Sequence, residues 1–241
     1  MKLVKRIGSA KLERRSMEAT ADDLAAIATQ VPEGWAAPTV ADVYVASALV
    51  CNDLVDHYST RFTREALAEI VALLPGTNVM RNHNEYGTDD LPIGRCYAAE
   101  LVEMPDGVYV RAHFYWERGT AAGDAMAKKV SLGIWREVSL SWWMRSFTNS
   151  IDGKPFDESP YYAGQELADG QTVIGIMSDI VELNEFSVVA RGGQKNTSIN
   201  PGERKVDTED VMQVIAASRA RVQAHEHARE GAGWGDFWGR R

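Results

Sequence analysis

One stretch narrows the fold more than any other: PIGRCYAAELVEM, then Pro105-Asp106-Gly107, then VYVRAHFYW. Two strand-like runs flank a turn whose proline presets one dihedral and whose glycine accepts the other, which predicts an antiparallel hairpin. A chain with such a hairpin at its middle must build on a sheet. Further strand-like runs surround it: VYVASALVCNDLVD after Ala41, a short start at Asn78 to Met80, the run from Trp135 to Phe147, and TVIGIMSDIVELNEFSVVA. Helical patterns between them are few and short. Thr63 is placed to cap a helix from Arg64 to Leu74, with Leu67, Ile70, Val71 and Leu74 on its dry side, and Pro75-Gly76 stops it. Gly119 to Lys129 is a second, made of small residues. Strands joined mainly by hairpins predict an α+β domain with a mostly antiparallel, barrel-like sheet.

The rest of the chain frames this core, which spans residues 41–195 on the sequence reading. Residues 1–40 form an N-terminal extension with helical spacing from Met17 to Val31, Thr20 as its N-cap, and Leu24, Ile27 and Val31 on one stripe. Asn149 to Gln171 reads as a long loop, and Gly192 begins a linker. Residues 196–241 are expected to be that linker and a helical tail, Thr208 to Arg229, ending in a glycine-rich segment with Trp234, Phe237 and Trp238. One helix cannot bury its apolar side alone, so the tail is expected to pack on the barrel, pair with another copy or engage a partner protein.

Composition excludes some functions. Of 241 residues, 45% are hydrophobic and 25% charged, ordinary for a globular protein, and the net charge of −8 argues against a general nucleic-acid binder. The absence of a long apolar run and of a signal-peptide core predicts a soluble protein that works where it is made. Cys51 and Cys96 lack metal-ligand spacing and read as reduced, buried thiols.

The chemistry is sought on the strand after Trp135. Alternation puts Glu137, Ser139, Ser141 and Trp143 on one face and Val138, Leu140, Trp142 and Met144 on the other, so small hydroxyls leave a notch between bulky neighbours. A serine there is inert unless a base takes its proton. Of the five histidines, His225 and His227 lie on the polar side of the tail helix, His113 on the hairpin and His57 in a loop. His83 ends a strand between two asparagines, where a scaffold can hold a base and leave it accessible. On the last strand Val181, Leu183, Glu185, Ser187 and Val189 are expected to share an apolar face, on which a carboxylate needs a partner. That partner is a histidine or a base such as Arg95 or Arg136, and Asp179 and Glu182 compete with Glu185 for the role. A metal site from His57, His83 and Asp53 or Asp56 fits no standard ligand spacing.

In order, these features resemble the prohead (capsid maturation) serine proteases of tailed bacteriophages, whose barrel is related to herpesvirus assemblin. The likeness spans residues 41–195. It runs through the helix FTREALAEIVALL, Asn82-His83-Asn84, Pro92-Ile93-Gly94-Arg95, the turn Pro105-Asp106-Gly107, Val138-Ser139-Leu140-Ser141-Trp142, and Leu183-Asn184-Glu185-Phe186-Ser187-Val188-Val189. The resemblance implies the fold of that family and a catalytic set of His83, Ser139 and Glu185. Ser141 stands where the family usually has glycine, so it remains the alternative nucleophile. Ala190-Arg191-Gly192-Gly193 replaces the family's P-A-N, and Arg191 matches an assemblin position that helps build the oxyanion hole. A serine endopeptidase is implied that cleaves phage scaffold and capsid proteins, and itself, inside the assembling procapsid in the bacterial cytoplasm. It would be a homo-oligomer such as a dimer, would need no metal or cofactor, and would bind no nucleic acid or membrane. The rival reading is a non-catalytic capsid assembly or scaffolding protein that keeps the barrel alone.

Overall fold

The computed structural model describes residues 17–83, 91–189, 192–194 and 197–199, all within one compact unit, Met1–Gly202. Asn84, the loop from Glu85 to Asp90, Arg191, most of the proposed linker and the tail with its helix lie outside the described residues.

The architecture is α+β: a curled, mixed sheet forming a half-barrel, with three short α-helices among the described residues. The strands are β1 (Val43–Asn52), β2 (Thr60–Phe62), β3 (Asn78–Arg81), β4 (Gly94–Met104), β5 (Gly107–Glu117), β6 (Glu137–Asn149), β7 (Gly175–Val189) and β8 (Ser198–Ile199). Their order is β2-β7-β3-β4-β5-β1-β8, with β6 also paired to β7. The β4–β5 hairpin turns at Pro105-Asp106-Gly107 and is antiparallel, as are β1–β5, β3–β4, β6–β7 and β1–β8; β2 and β3 run parallel to β7. Those two parallel pairs make the sheet mixed, and β7 is its hub.

The helices are α1 (Ala21–Ala28), α2 (Arg64–Leu73) and α3 (Ala121–Ser131). Thr63 caps α2 by accepting from the Ala66 amide, and Ala66, Leu67 and Ile70 are its buried residues. The helix packs on β4, β5 and β7 and closes the main core with Phe62, Phe114, Trp116 and Phe186. α1 is shorter than the sequence periodicity implies, but Thr20 is its N-cap, in a reciprocal capping box with Asp23. It docks on the opposite side of the sheet. Ile27 packs with Val43, Val45 and Tyr97, and the Tyr97 hydroxyl donates to Asp23 at 2.7 Å.

Two elements depart from the sequence reading. Ser198–Ile199, assigned to the linker, pairs as β8 with Ala48 and Leu49 of β1, and Ile199 is buried. A two-residue strand has no periodicity of its own to read. On β7 the expected alternation fails: Val181 is exposed, whereas Glu185 to Val189 are all buried. Asp179 adopts a left-handed φ of 58°, and the β6–β7 register shifts at Ser141/Trp142 and at Trp143/Met144. Each irregularity resets which side chains face inward.

Candidate active site

The site is assembled where three strands lie side by side, β3 against β7 and β7 against β6. Ser139 on β6 sits directly opposite Ser187 on β7, and Ser141 opposite Glu185. Because side chains alternate, those four share one face at this end of the pair. Val138, Leu140, Phe186 and Val188 turn the other way into the core. On the far side of β7, Met80 and Arg81 of β3 align with Ser187 and Val188.

Asn82 then takes a left-handed φ of 67°, a conformation asparagine tolerates better than most residues. Its amide still donates to the Val188 carbonyl at 2.9 Å, so the chain turns sharply while tethered to the sheet. That turn returns the His83 ring over β7, where Nδ1 is hydrogen-bonded to Glu185 Oε1. The other carboxylate oxygen, Oε2, accepts from Ser187 Oγ, which also lies 2.9 Å from the Asn82 carbonyl.

Burial sets the character of this pair. The Glu185 side chain is 2% exposed and that of His83 43% exposed. A carboxylate so buried needs bonded partners. It has them in a histidine and a serine, and the arginines do not serve: Arg136 lies 4.0 Å from Glu137 instead. A carboxylate on Nδ1 fixes the tautomer that leaves Nε2 as proton acceptor, and it stabilises the imidazolium that follows protonation. The histidine's exposed part faces outward, where a reacting group can reach it.

His83 and Ser139 line one cleft of about 250 Å3, together with Val50, Phe62, Leu140 and Trp142. Ser141 is not among the lining residues, and its hydroxyl accepts from Asn184 Nδ2 at 3.0 Å. Asp179 and Glu182 are exposed earlier along β7, outside the stretch that β3 flanks. The structure therefore brings together His83, Glu185 and the Ser139 strand, and leaves Asp179 and Glu182 apart. His57 is exposed and His113 contacts Glu100 at 3.4 Å. Asp53 accepts from the Val108 amide, and Asp56 accepts from the Tyr58 and Thr60 amides and the Thr60 hydroxyl. Among the described residues no cluster of three or more His, Cys, Asp or Glu could hold a metal. Both cysteines are free, and burial drives their thiols well above the usual range.

Ser187 is the residue that sequence reasoning placed on the right face but gave no role. Its signal was its position two residues after Glu185, which puts both side chains on one face of one strand. Tyr58 and Gln194 also line the cleft and carried no comparable signal, because they sit in irregular segments. No helix among the described residues is long and apolar enough to cross a membrane. The chain matches no protein-family model, no curated protein and no solved structure.

Proposed function

We propose that the protein is a serine endopeptidase of the prohead-protease type, with Ser139 as nucleophile, His83 as general base and Glu185 as the carboxylate that orients and stabilises the histidine. One observation carries the reading: His83 Nδ1 meets the buried Glu185 carboxylate beside the strand that holds Ser139, so His83 and Ser139 face one cleft with the carboxylate behind the histidine. An orienting carboxylate behind an accessible imidazole, with a serine alongside, is what acyl transfer requires.

In this mechanism His83 Nε2 takes the Ser139 proton as Oγ attacks the scissile carbonyl, then returns it to the leaving amine. Water repeats the cycle on the acyl-enzyme. By the resemblance, a backbone amide near Arg191 would meet the oxyanion, a contact worth roughly 3 kcal/mol in proteases; the Gly192 amide is already engaged, donating to Glu137 at 2.8 Å. The chemistry uses protein groups alone. The substrates in this reading are the scaffold and capsid proteins of a tailed phage, cut within the procapsid in the bacterial cytoplasm, and the protein's own terminal extensions. The test is co-expression with scaffold and major capsid proteins of a tailed phage. The wild type should cut them, and Ser139→Ala should leave them intact while keeping the same circular-dichroism spectrum and melting temperature. A Ser139→Ala variant that still cuts would move the nucleophile to Ser141, and a wild type that assembles with them and cuts nothing would favour a scaffolding role.

A further inference from the structure

The cleft beside Ser139 also contains a built side-chain pocket, and this inference rests on the protease reading above. The curl of the sheet brings β1 and β8 alongside β6, with Cα atoms of β1 and β6 within 8 Å of each other at their closest stretch. Ile199 N donates to the Arg136 carbonyl, and Thr197 Oγ1 lies 3.4 Å from the Val138 carbonyl, so the seam is pinned at its upper end. Lower down, at Val50, Leu140 and Trp142, it opens as the 250 Å3 cleft. Inserting a further strand between two others needs a gap of about 9–10 Å, twice the usual spacing. At its closest stretch the seam is narrower than that, and where it opens the 250 Å3 cleft has room for a side chain rather than an inserted strand. A volume of 250 Å3 is also below the roughly 300–1,000 Å3 of sites for whole small molecules.

The chemistry of the walls selects the side chain. Val50 and Phe62 are almost fully buried, and the Phe62 and Trp142 rings lie 5.0 Å apart. Asp56 is the carboxylate in the lining, and it is already occupied: its oxygens accept from the Tyr58 and Thr60 amides, the Thr60 hydroxyl and, at 3.3 Å, Gln194 Nε2. A basic side chain entering here would find that carboxylate committed, and an acidic one would face it. At the mouth stands Tyr58, 72% exposed, with its ring beside Gly193, where a Cβ would come within 3.0 Å of the Tyr58 ring. Gly193 therefore leaves room for the tyrosine to wall the entrance.

We propose that this pocket is the specificity site of the enzyme, receiving one bulky apolar side chain (leucine, methionine or phenylalanine) of a residue flanking the scissile bond, with Tyr58 as the specificity-determining residue at its rim. Two measurements test it, on peptides identical except at the residues flanking the cut. The first is kcat/KM of the full-length wild type. The second is binding of the same peptides to Ser139→Ala by titration calorimetry, which needs no turnover. Apolar peptides should exceed aspartate, lysine and serine versions by about 10²-fold or more in kcat/KM, the range one pocket contact can supply. They should also bind Ser139→Ala preferentially, and Tyr58→Ala should narrow the preference while the protein still melts as a folded domain. Equal cleavage and equal binding of apolar and charged peptides would overturn the pocket assignment and leave the protease reading standing. Selective binding of apolar peptides to Ser139→Ala with no cleavage by the wild type would keep the pocket and overturn the protease reading.

Discussion

At the residue scale, the arrangement depends on a few side chains whose neighbours are known. Glu185→Gln keeps the shape but cannot stabilise an imidazolium, so kcat should fall by about 10²–10⁴-fold with KM little changed. Steady-state kinetics on a cleavable peptide checks this, and a full rate in Glu185→Gln would remove the carboxylate from the mechanism. Ser187→Ala takes one donor from Glu185 and should lower kcat roughly tenfold, the size of one buried hydrogen bond. Asn82 makes a sharper test because its left-handed backbone turns His83 onto β7. Asn82→Gly should fold and work, whereas Asn82→Val should cost about 1–3 kcal/mol in thermal or urea unfolding. The histidine and the carboxylate were legible because an accessible base at a strand end and a charge on a dry face are both unusual. The partner of Glu185 was not legible: two arginines and a histidine were equally open until β3 and β7 proved to be neighbours.

At the scale of elements, glycine positions and caps explain which segments the sequence could announce. Gly94, within Pro92-Ile93-Gly94-Arg95, pairs with Trp116, and a Cβ there would come to 1.8 Å from the Tyr115 carbonyl oxygen. Gly94→Ala should therefore cost about 3 kcal/mol or more by forcing β4 away from β5, read from denaturant unfolding. Thr120→Ala removes the N-cap of α3, none of whose residues lines the cleft, and should cost about 1 kcal/mol while leaving kcat unchanged. The hairpin, α2 and β1 were readable because local signals (turn residues, a cap, a β-branched run) agree with the tertiary contacts. The inward face of β7 was not, since one left-handed residue and two register shifts break the period on which face assignments rely. The turn after β6 carries a pH dependence of known sign. The Lys154 amide, then Asn149 and Ser159, hold the Asp152 carboxyl below its usual range. A depressed carboxyl stabilises above its unfolded value and loses that contribution as pH falls, so limited proteolysis should find this loop more susceptible in acid than at neutral pH.

At the scale of the whole molecule, the boundary of the folded unit moves outward from the sequence estimate. A core ending at 195 would lack β8, whose Ile199 is buried against β1 and whose backbone donates to Arg136. Truncation after residue 195 should lower stability by about 1.5–3 kcal/mol, the value of one buried isoleucine, whereas truncation after residue 206 should melt like the full chain and keep peptide cleavage near normal. If loss of residues 207–241 abolishes cleavage in solution, the tail belongs to the active fold rather than serving only to engage a partner. Long-range strand pairing is the information a single sequence holds least openly. Here it places β3 beside β7, turns an isolated histidine and an isolated glutamate into a bonded pair, and sets that pair against a serine two strands from the histidine. The most direct test of that convergence is to label the full-length protein with a fluorophosphonate and map the adduct by peptide mass spectrometry. The adduct should fall on Ser139, slow strongly in Glu185→Gln, and vanish in Ser139→Ala. An adduct on Ser141, or no adduct on a folded protein, would contradict the assignment of Ser139 as the nucleophile served by His83 and Glu185.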